Sequence, residues 1–280
     1  MLSVGIVFGG VSPEHEVSVI SSHQAMNALD RARYRPVPIY IAKDGLWYTG
    51  ETLFDLDAYQ DLDRLRSEAV RVQVDPGAFG TIDLVETGEG GLFHRPRRYT
   101  VDVMFLGLHG GSGEDGGLQG LCETFNVPYT GSSIFGSSLG MDKVLSKMLC
   151  RDQDIPVVDF VWFRESEWAN REEEWLDRCE ARLGYPVVVK PARLGSSIGI
   201  SMAKDRTRLD ALVQERVGGT LGAVVLDALA PALAGQHAGG LQRRVERFLG
   251  FRIVTEQVLQ AALQAPHAAR PTAAALGAQQ

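Results

Sequence analysis

Residues 4–8, Val-Gly-Ile-Val-Phe, form an unbroken apolar run that stops at Gly9-Gly10. A run so short and so uniformly apolar predicts a strand covered on both faces that turns sharply at its end. A helix start follows, with Ser12 as N-cap, Pro13 at the first helical position, and Val19, Met26 and Leu29 on one face at helical spacing. Residues 37–41 and 101–108 repeat the strand pattern. This alternation predicts an α/β fold whose first domain is a parallel sheet with helices on its faces. In such sheets ligands gather at the carboxyl ends of the strands, where the two glycine-rich turns of this chain fall.

Further along the chain the signals change. Residues 43–100 read as an edge hairpin, a short helix near 59–70 and irregular connections. From Ser132 a helix carrying Met141, Lys143, Leu145 and Met148 leads to Ile155-Pro156 and an apolar strand over 157–163. A charged helix over 167–182 then feeds a strand, a small-residue loop and a return strand built on Val188-Val189-Lys190-Pro191-Ala192-Arg193-Leu194-Gly195-Ser196-Ser197-Ile198-Gly199. Residues 204–215 read as helix. These signals divide the chain into an N-terminal α/β domain (1–122), a small α+β domain (123–213) and a tail (214–280) with some helix at 242–263. The tail is rich in Ala, Gly, Leu and Gln, and the chain has no Lys after Lys204 and no Asn after Asn170.

Composition narrows the functions. A formal net charge of -7 over 280 residues gives no long-range attraction to nucleic acid or to an anionic membrane. No apolar stretch approaches the roughly 18 residues of a membrane span, and the N-terminus lacks the basic segment and cleavage site of a signal peptide. Cys122, Cys150 and Cys179 are widely spaced, which fits a reducing cytoplasm better than disulfides or a zinc site.

Three constellations carry chemistry. Gly9-Gly10-Val11-Ser12-Pro13-Glu14-His15-Glu16-Val17-Ser18 puts a carboxylate, Glu14, at a helix start. There it serves either the helix dipole or a ligand ammonium. The dinucleotide fingerprint Gly-x-Gly-x-x-Gly is absent from this turn. His109-Gly110-Gly111-Ser112-Gly113-Glu114-Asp115-Gly116-Gly117-Leu118-Gln119-Gly120 ends the third strand with a backbone that a ligand can approach closely, and His109 is either structural or functional. Lys143 and Lys147 sit one helical turn apart, the ordinary spacing of a solvated face. Lys143 together with Lys190, Ser196 and Ser197 also suits the phosphates of a nucleotide.

These motifs, in order, resemble the D-alanine–D-alanine ligase family of the ATP-grasp superfamily. The resemblance rests on Gly9–Ser18, His109–Gly120, Pro128–Ser132, Met141–Lys143 and Lys190–Gly199 and covers residues 3–213. It implies a cytoplasmic ligase for peptidoglycan precursors, a dimer through its first domain, which uses ATP to join two D-alanines through an acyl phosphate. On the matching positions Glu14 would hold the first D-alanine's ammonium and His109 would lie near its carboxylate. Lys143, Val188, Val189, Lys190, Ser196 and Ser197 would line the ATP site, with Ser196 linked to Glu14.

The resemblance also implies magnesium held by an Asp and a Glu-x-Asn pair in a third domain. No Asn follows Asn170, and Glu246, Glu256, Arg243, Arg244 and Arg247 match no motif of that domain. The composition change reads as a shifted frame or a truncation, which leaves turnover by this chain in question. The alternatives are a non-catalytic nucleotide- or amino-acid-binding remnant and an ATP-grasp ligase using D-lactate or D-serine.

Overall fold

The computed structural model describes residues 1–75, 79–88, 95–216 and 223–228. Its first sheet begins with β1 (Leu2–Gly9), α1 (His15–Ala28) and β2 (Tyr34–Ile41), and β1 and β2 pair in parallel from Leu2↔Tyr34 to Gly9↔Ile41. α1 starts later than the Ser12-Pro13 signal suggests. Ser12 instead makes a tight turn, its hydroxyl accepting from the Glu14 N–H at 3.1 Å and its carbonyl from the His15 N–H at 3.2 Å.

The sheet is mixed rather than wholly parallel. After β2 a reversal at Ala42–Leu46 sends β3 (Trp47–Thr49) back antiparallel, and α2 (Leu62–Glu68), β4 (Val70–Asp75), β5 (Ile82–Glu86) and β6 (Arg98–Val101) follow. The strand expected over 101–108 is two strands. Asp102 exchanges hydrogen bonds with Ser3, donating its N–H to the Ser3 carbonyl at 2.9 Å and accepting the Ser3 N–H at 2.8 Å through its carboxylate. The chain bends there, so β6 pairs antiparallel with β5 while β7 (Val103–Leu106) pairs parallel with β1. The order is β6-β5-β4-β3-β2-β1-β7.

One face of this sheet packs Val4, Ile6 and Phe8 on Val19 and Met26 of α1 and on Leu29 just beyond its end. The other packs Val7, Ile39 and Met104 on Leu118 and Cys122 of α3 (Gly117–Thr124). The first unit continues past residue 122: Met104 N–H donates to the Pro128 carbonyl at 2.8 Å, and Thr130 N–H to the Met104 carbonyl at 3.0 Å. Burial pushes the Cys122 and Cys179 thiols up to about 12, so neither is a thiolate at neutral pH.

The helix expected from Ser132 is two helices, α4 (Ile134–Met141) and α5 (Lys143–Asp152), because Asp142 leaves helical geometry and caps α5. Among the described residues four strands form the second sheet, in the order β10-β9-β11-β8. They are β8 (Phe160–Arg164), β9 (Val187–Pro191), β10 (Ser201–Ala203) and β11 (Ala223–Ala228). α6 (Glu165–Leu183), whose Glu167 carboxylate accepts the Arg164 N–H at 2.8 Å, and α7 (Arg206–Gln214), capped by Asp205, cover one face. α5 lies on the other, with Val144 against Phe160, Ala192 and Val225. β11 lies beyond the boundary expected at 213 and is the central partner of both β8 and β9. The expected helix at 242–263 falls outside the described residues.

The second core rests on Phe163, wholly buried between Trp168, stacked at 5.0 Å, and Trp175 at 5.1 Å. Phe163→Ala removes both contacts and leaves a cavity. It is expected to lower unfolding stability by about 3–5 kcal/mol, read by urea titration.

Candidate active site

Glu14 is the residue on which separate segments meet. The first is α1, whose start it precedes. The second is the loop after β7. Gly110 has φ 68°, and a Cβ built there would lie 2.5 Å from Glu14 Oε2 and 2.8 Å from Ser12 Oγ. Only glycine lets that backbone pass so close to the carboxylate. The third is the loop between β9 and β10: a Cβ on Gly195 would lie 3.3 Å from the same Oε2, and the Ser196 hydroxyl donates to Glu14 Oε1.

α1 is tied to the glycine loop by hydroxyls that the motifs did not single out. Ser18 Oγ accepts the Gly9 N–H at 2.9 Å and donates to the Gly107 carbonyl at 2.8 Å, and Ser22 Oγ donates to that carbonyl at 3.2 Å. Ser21 Oγ lies 2.9 Å from His109 Nε2. Positions 18, 21 and 22 follow i, i+3, i+4, so a hydroxyl-bearing helix face was the available signal. His15, beside Glu14, belongs to the core: its Nδ1 is 2.8 Å from the Gly10 carbonyl and its Nε2 3.1 Å from the Tyr40 hydroxyl.

The lysines stand on the second unit. Asp142 Oδ1 accepts the N–H groups of Val144 at 3.0 Å and Leu145 at 3.1 Å, while Oδ2 accepts from Arg193 Nε at 3.0 Å. This fixes α5 against the loop. Lys143 follows directly; its backbone N–H donates to the Ala192 carbonyl at 3.0 Å and its ammonium to the Leu194 carbonyl. Burial, then the neighbouring Lys190 ammonium, hold its pKa below the ordinary lysine value.

β9 alternates its side chains, which separates the residues expected at the nucleotide. Val188 and Lys190 share the half-buried face, but Val189 is wholly buried in the core against α6 and α7. The Val189 side chain therefore cannot line a nucleotide site, and its main chain, paired with Ser201 and Leu226, is committed to the sheet. Lys190 ion-pairs with Asp227 of β11, which also holds Lys147. Ser196 and Ser197 are exposed and adopt left-handed backbone, φ 48° and 61°. Arg216 secures the loop's exit, its guanidinium donating to the Gly199 carbonyl at 2.8 Å and to Ser201 Oγ at 2.9 Å.

A cavity of about 600 Å³ runs between the two units, lined by Leu108, Gln119, Thr130, Lys143, Gly195 and Ser196. Another of about 470 Å³ lies beside Trp47, Arg71 and Gln73 on β3 and β4, away from these groups. Among the described residues no three of His, Cys, Asp and Glu gather to hold a metal ion. Asp227 has both oxygens occupied by ammonium groups. The described residues thus do not fit magnesium, and Glu246, Glu256, Arg243, Arg244 and Arg247 lie outside them. No helix among the described residues is long and apolar enough to cross a membrane.

A lysine-bearing strand, a small-residue loop and a return strand, set beside an α/β unit that presents a carboxylate to that loop, define a protein of the ATP-grasp kind. Sequence profiles described as "D-ala D-ala ligase N-terminus" and "D-ala D-ala ligase C-terminus" match residues 3–132 and 149–228. The D-alanine--D-alanine ligase of Thermosipho melanesiensis is 42% identical over 214 residues, 76% of this chain and 56% of that protein. That of Geobacillus kaustophilus is 38% identical over 208 residues, 74% and 55%. The solved D-alanine-D-alanine ligase from Coxiella burnetii superposes with TM-score 0.68 at 31% identity, covering 81% of this chain and 63% of that one. The VanG D-Ala:D-Ser ligase from Enterococcus faecalis superposes with TM-score 0.65 at 28% identity, covering 81% and 62%. The chain belongs to the D-alanine–D-alanine ligase family. It spans a little over half the length of the curated relatives it matches.

Asp142→Ala removes the cap of α5 and the partner of Arg193 together. It is expected to cost about 1–2 kcal/mol in chemical unfolding, most of it from the lost cap because the Arg193 side chain is largely exposed.

Proposed function

We propose that this chain acts in ATP-dependent ligation of two D-alanines for peptidoglycan precursors, with Glu14 holding the ammonium of the first. The observation that carries the reading is the meeting of Glu14 with Gly110, Gly195 and Ser196, beside two half-buried lysines. A carboxylate at a helix start, its orientation fixed by a donated hydroxyl, suits a small zwitterion's ammonium. His109, hydrogen-bonded to Ser21 and next in the chain to Gly110, would serve the zwitterion's carboxylate. Lys143 and Lys190 supply positive charge for phosphates, and the left-handed turn at Ser196 and Ser197 is of the kind in which successive N–H groups gather about an anion. ATP, when bound, supplies the phosphoryl group that activates the carboxylate; the residues here position and neutralise charge. The cytoplasm, a magnesium requirement and a dimer through the first domain go with this reading.

A second reading is a binding protein without turnover. It is favoured by the lack of a metal-holding cluster among the described residues.

One assay separates the two. The purified 280-residue chain is incubated with ATP, magnesium and D-alanine as sole amino acid, and phosphate and dipeptide are measured. Ligation predicts phosphate release that depends on D-alanine and falls about 10–100-fold in Gly110→Ala, where the new Cβ displaces the carboxylate. ATP binding without phosphate release would select the binding protein, and absence of ATP binding would defeat both.

A further inference from the structure

The lysine pair on α5 is not a solvated face. Lys147 has a side chain only 14% exposed, and its ammonium donates to Asp227 Oδ1. The other oxygen of Asp227 receives Lys190, whose side chain is 17% exposed, and the Asp227 side chain is 8% exposed. Lys147 lies 4.9 Å from the centre of the Phe160 ring, over which the Arg151 guanidinium also sits at 4.3 Å. One carboxylate thus bridges α5, β9 and β11 and is shared by two ammonium groups.

The sharing sets the charge that an incoming anion meets. Lys143, Lys147 and Lys190 face one carboxylate, Asp227, because Asp142 is taken by Arg193 and by the α5 N–H groups. Without Lys147, Asp227 would pair one to one with Lys190. Its charge would then compete with a phosphate for that ammonium and repel the phosphate, in a partly desolvated place where such terms are strong. With Lys147 present, one carboxylate oxygen is occupied elsewhere while the other still holds Lys190 in place.

We propose that Lys147 is a positioning residue for polyphosphate binding, acting through Asp227 to keep the Lys190 ammonium both placed and available. This rests on the reading of the cleft as a nucleotide site. Burial also holds the Lys147 pKa below the ordinary lysine value, with its pairing to Asp227 opposing the shift.

The test measures binding of ATP and of adenosine to the full chain by calorimetry, with thermal melts to check folding. Lys147→Met, which keeps the packing on Phe160 but not the charge, should weaken ATP about tenfold and leave adenosine unchanged. Lys147→Arg should bind ATP as the parent does. Adding Asp227→Asn to Lys147→Met should restore ATP affinity to within about threefold of the parent, since the repelling charge is gone. Should Lys147→Met not fold, Lys147→Gln carries the same expectation. Parent-like ATP affinity in the uncharged variant, equal weakening of ATP and adenosine, or no rescue by Asp227→Asn would overturn the proposal. A parent chain that binds no ATP defeats the nucleotide reading itself, and this proposal with it.

Discussion

The contact between Glu14 and Ser196 joins residues 182 apart in the chain and carries one folding unit to the other. Each side is prepared by different physics. On the first unit, the parallel pairing of β1 with β2 and β7 brings the ends of β1 and β7 side by side, so the turn before α1 and the loop through Gly110 have to emerge together. On the second, the β9–β10 reversal carries Gly195 and Ser196 back toward that turn. The glycines are the permissive elements and the carboxylate is the specific one. A side chain at Gly110 would occupy the place that Glu14 needs.

The second theme is charge held in a place that does not favour it. The chain is acidic overall, yet three of its five lysines stand within one small unit, around Asp227. Taking ammonium groups partly out of water is costly unless partners compensate, and each of the three has one. Lys143 donates to the carbonyl of Leu194, whereas Lys147 and Lys190 share a carboxylate. Partners that are carbonyls or a shared carboxylate leave this group of side chains with net positive charge, and Lys143 among them lines the cleft. That is the electrostatic requirement for gathering a polyphosphate.

Much of this was legible in the sequence, and the remainder failed for identifiable reasons. The short apolar runs over 4–8 and 37–41 mark β1 and β2, and the ordered motifs point to Glu14, His109, Lys143, Lys190 and Ser196. The break at Asp142 was hidden because the apolar pattern runs on through it; only the cap geometry shows that one helix has become two. The bend at Asp102 depends on a tertiary partner, Ser3, which no local pattern reveals. Val189 follows from strand alternation, which places it opposite Lys190. By composition β11 belongs to the tail, because the change comes before it, yet Val224, Val225 and Leu226 are wholly buried or nearly so at the centre of the second sheet. Asp227 stands in that same stretch, as one acid of a tail whose composition gives it no motif.

The account stands on Glu14 and Ser196 acting as one unit at a substrate's ammonium. A double-mutant cycle with Glu14→Gln and Ser196→Ala, read as D-alanine affinity by calorimetry on the full chain, measures that directly. The account predicts a coupling of about 1 kcal/mol or more between the two positions, because the hydroxyl works only through the carboxylate. Strictly additive losses, or D-alanine affinity untouched by Glu14→Gln, would contradict it.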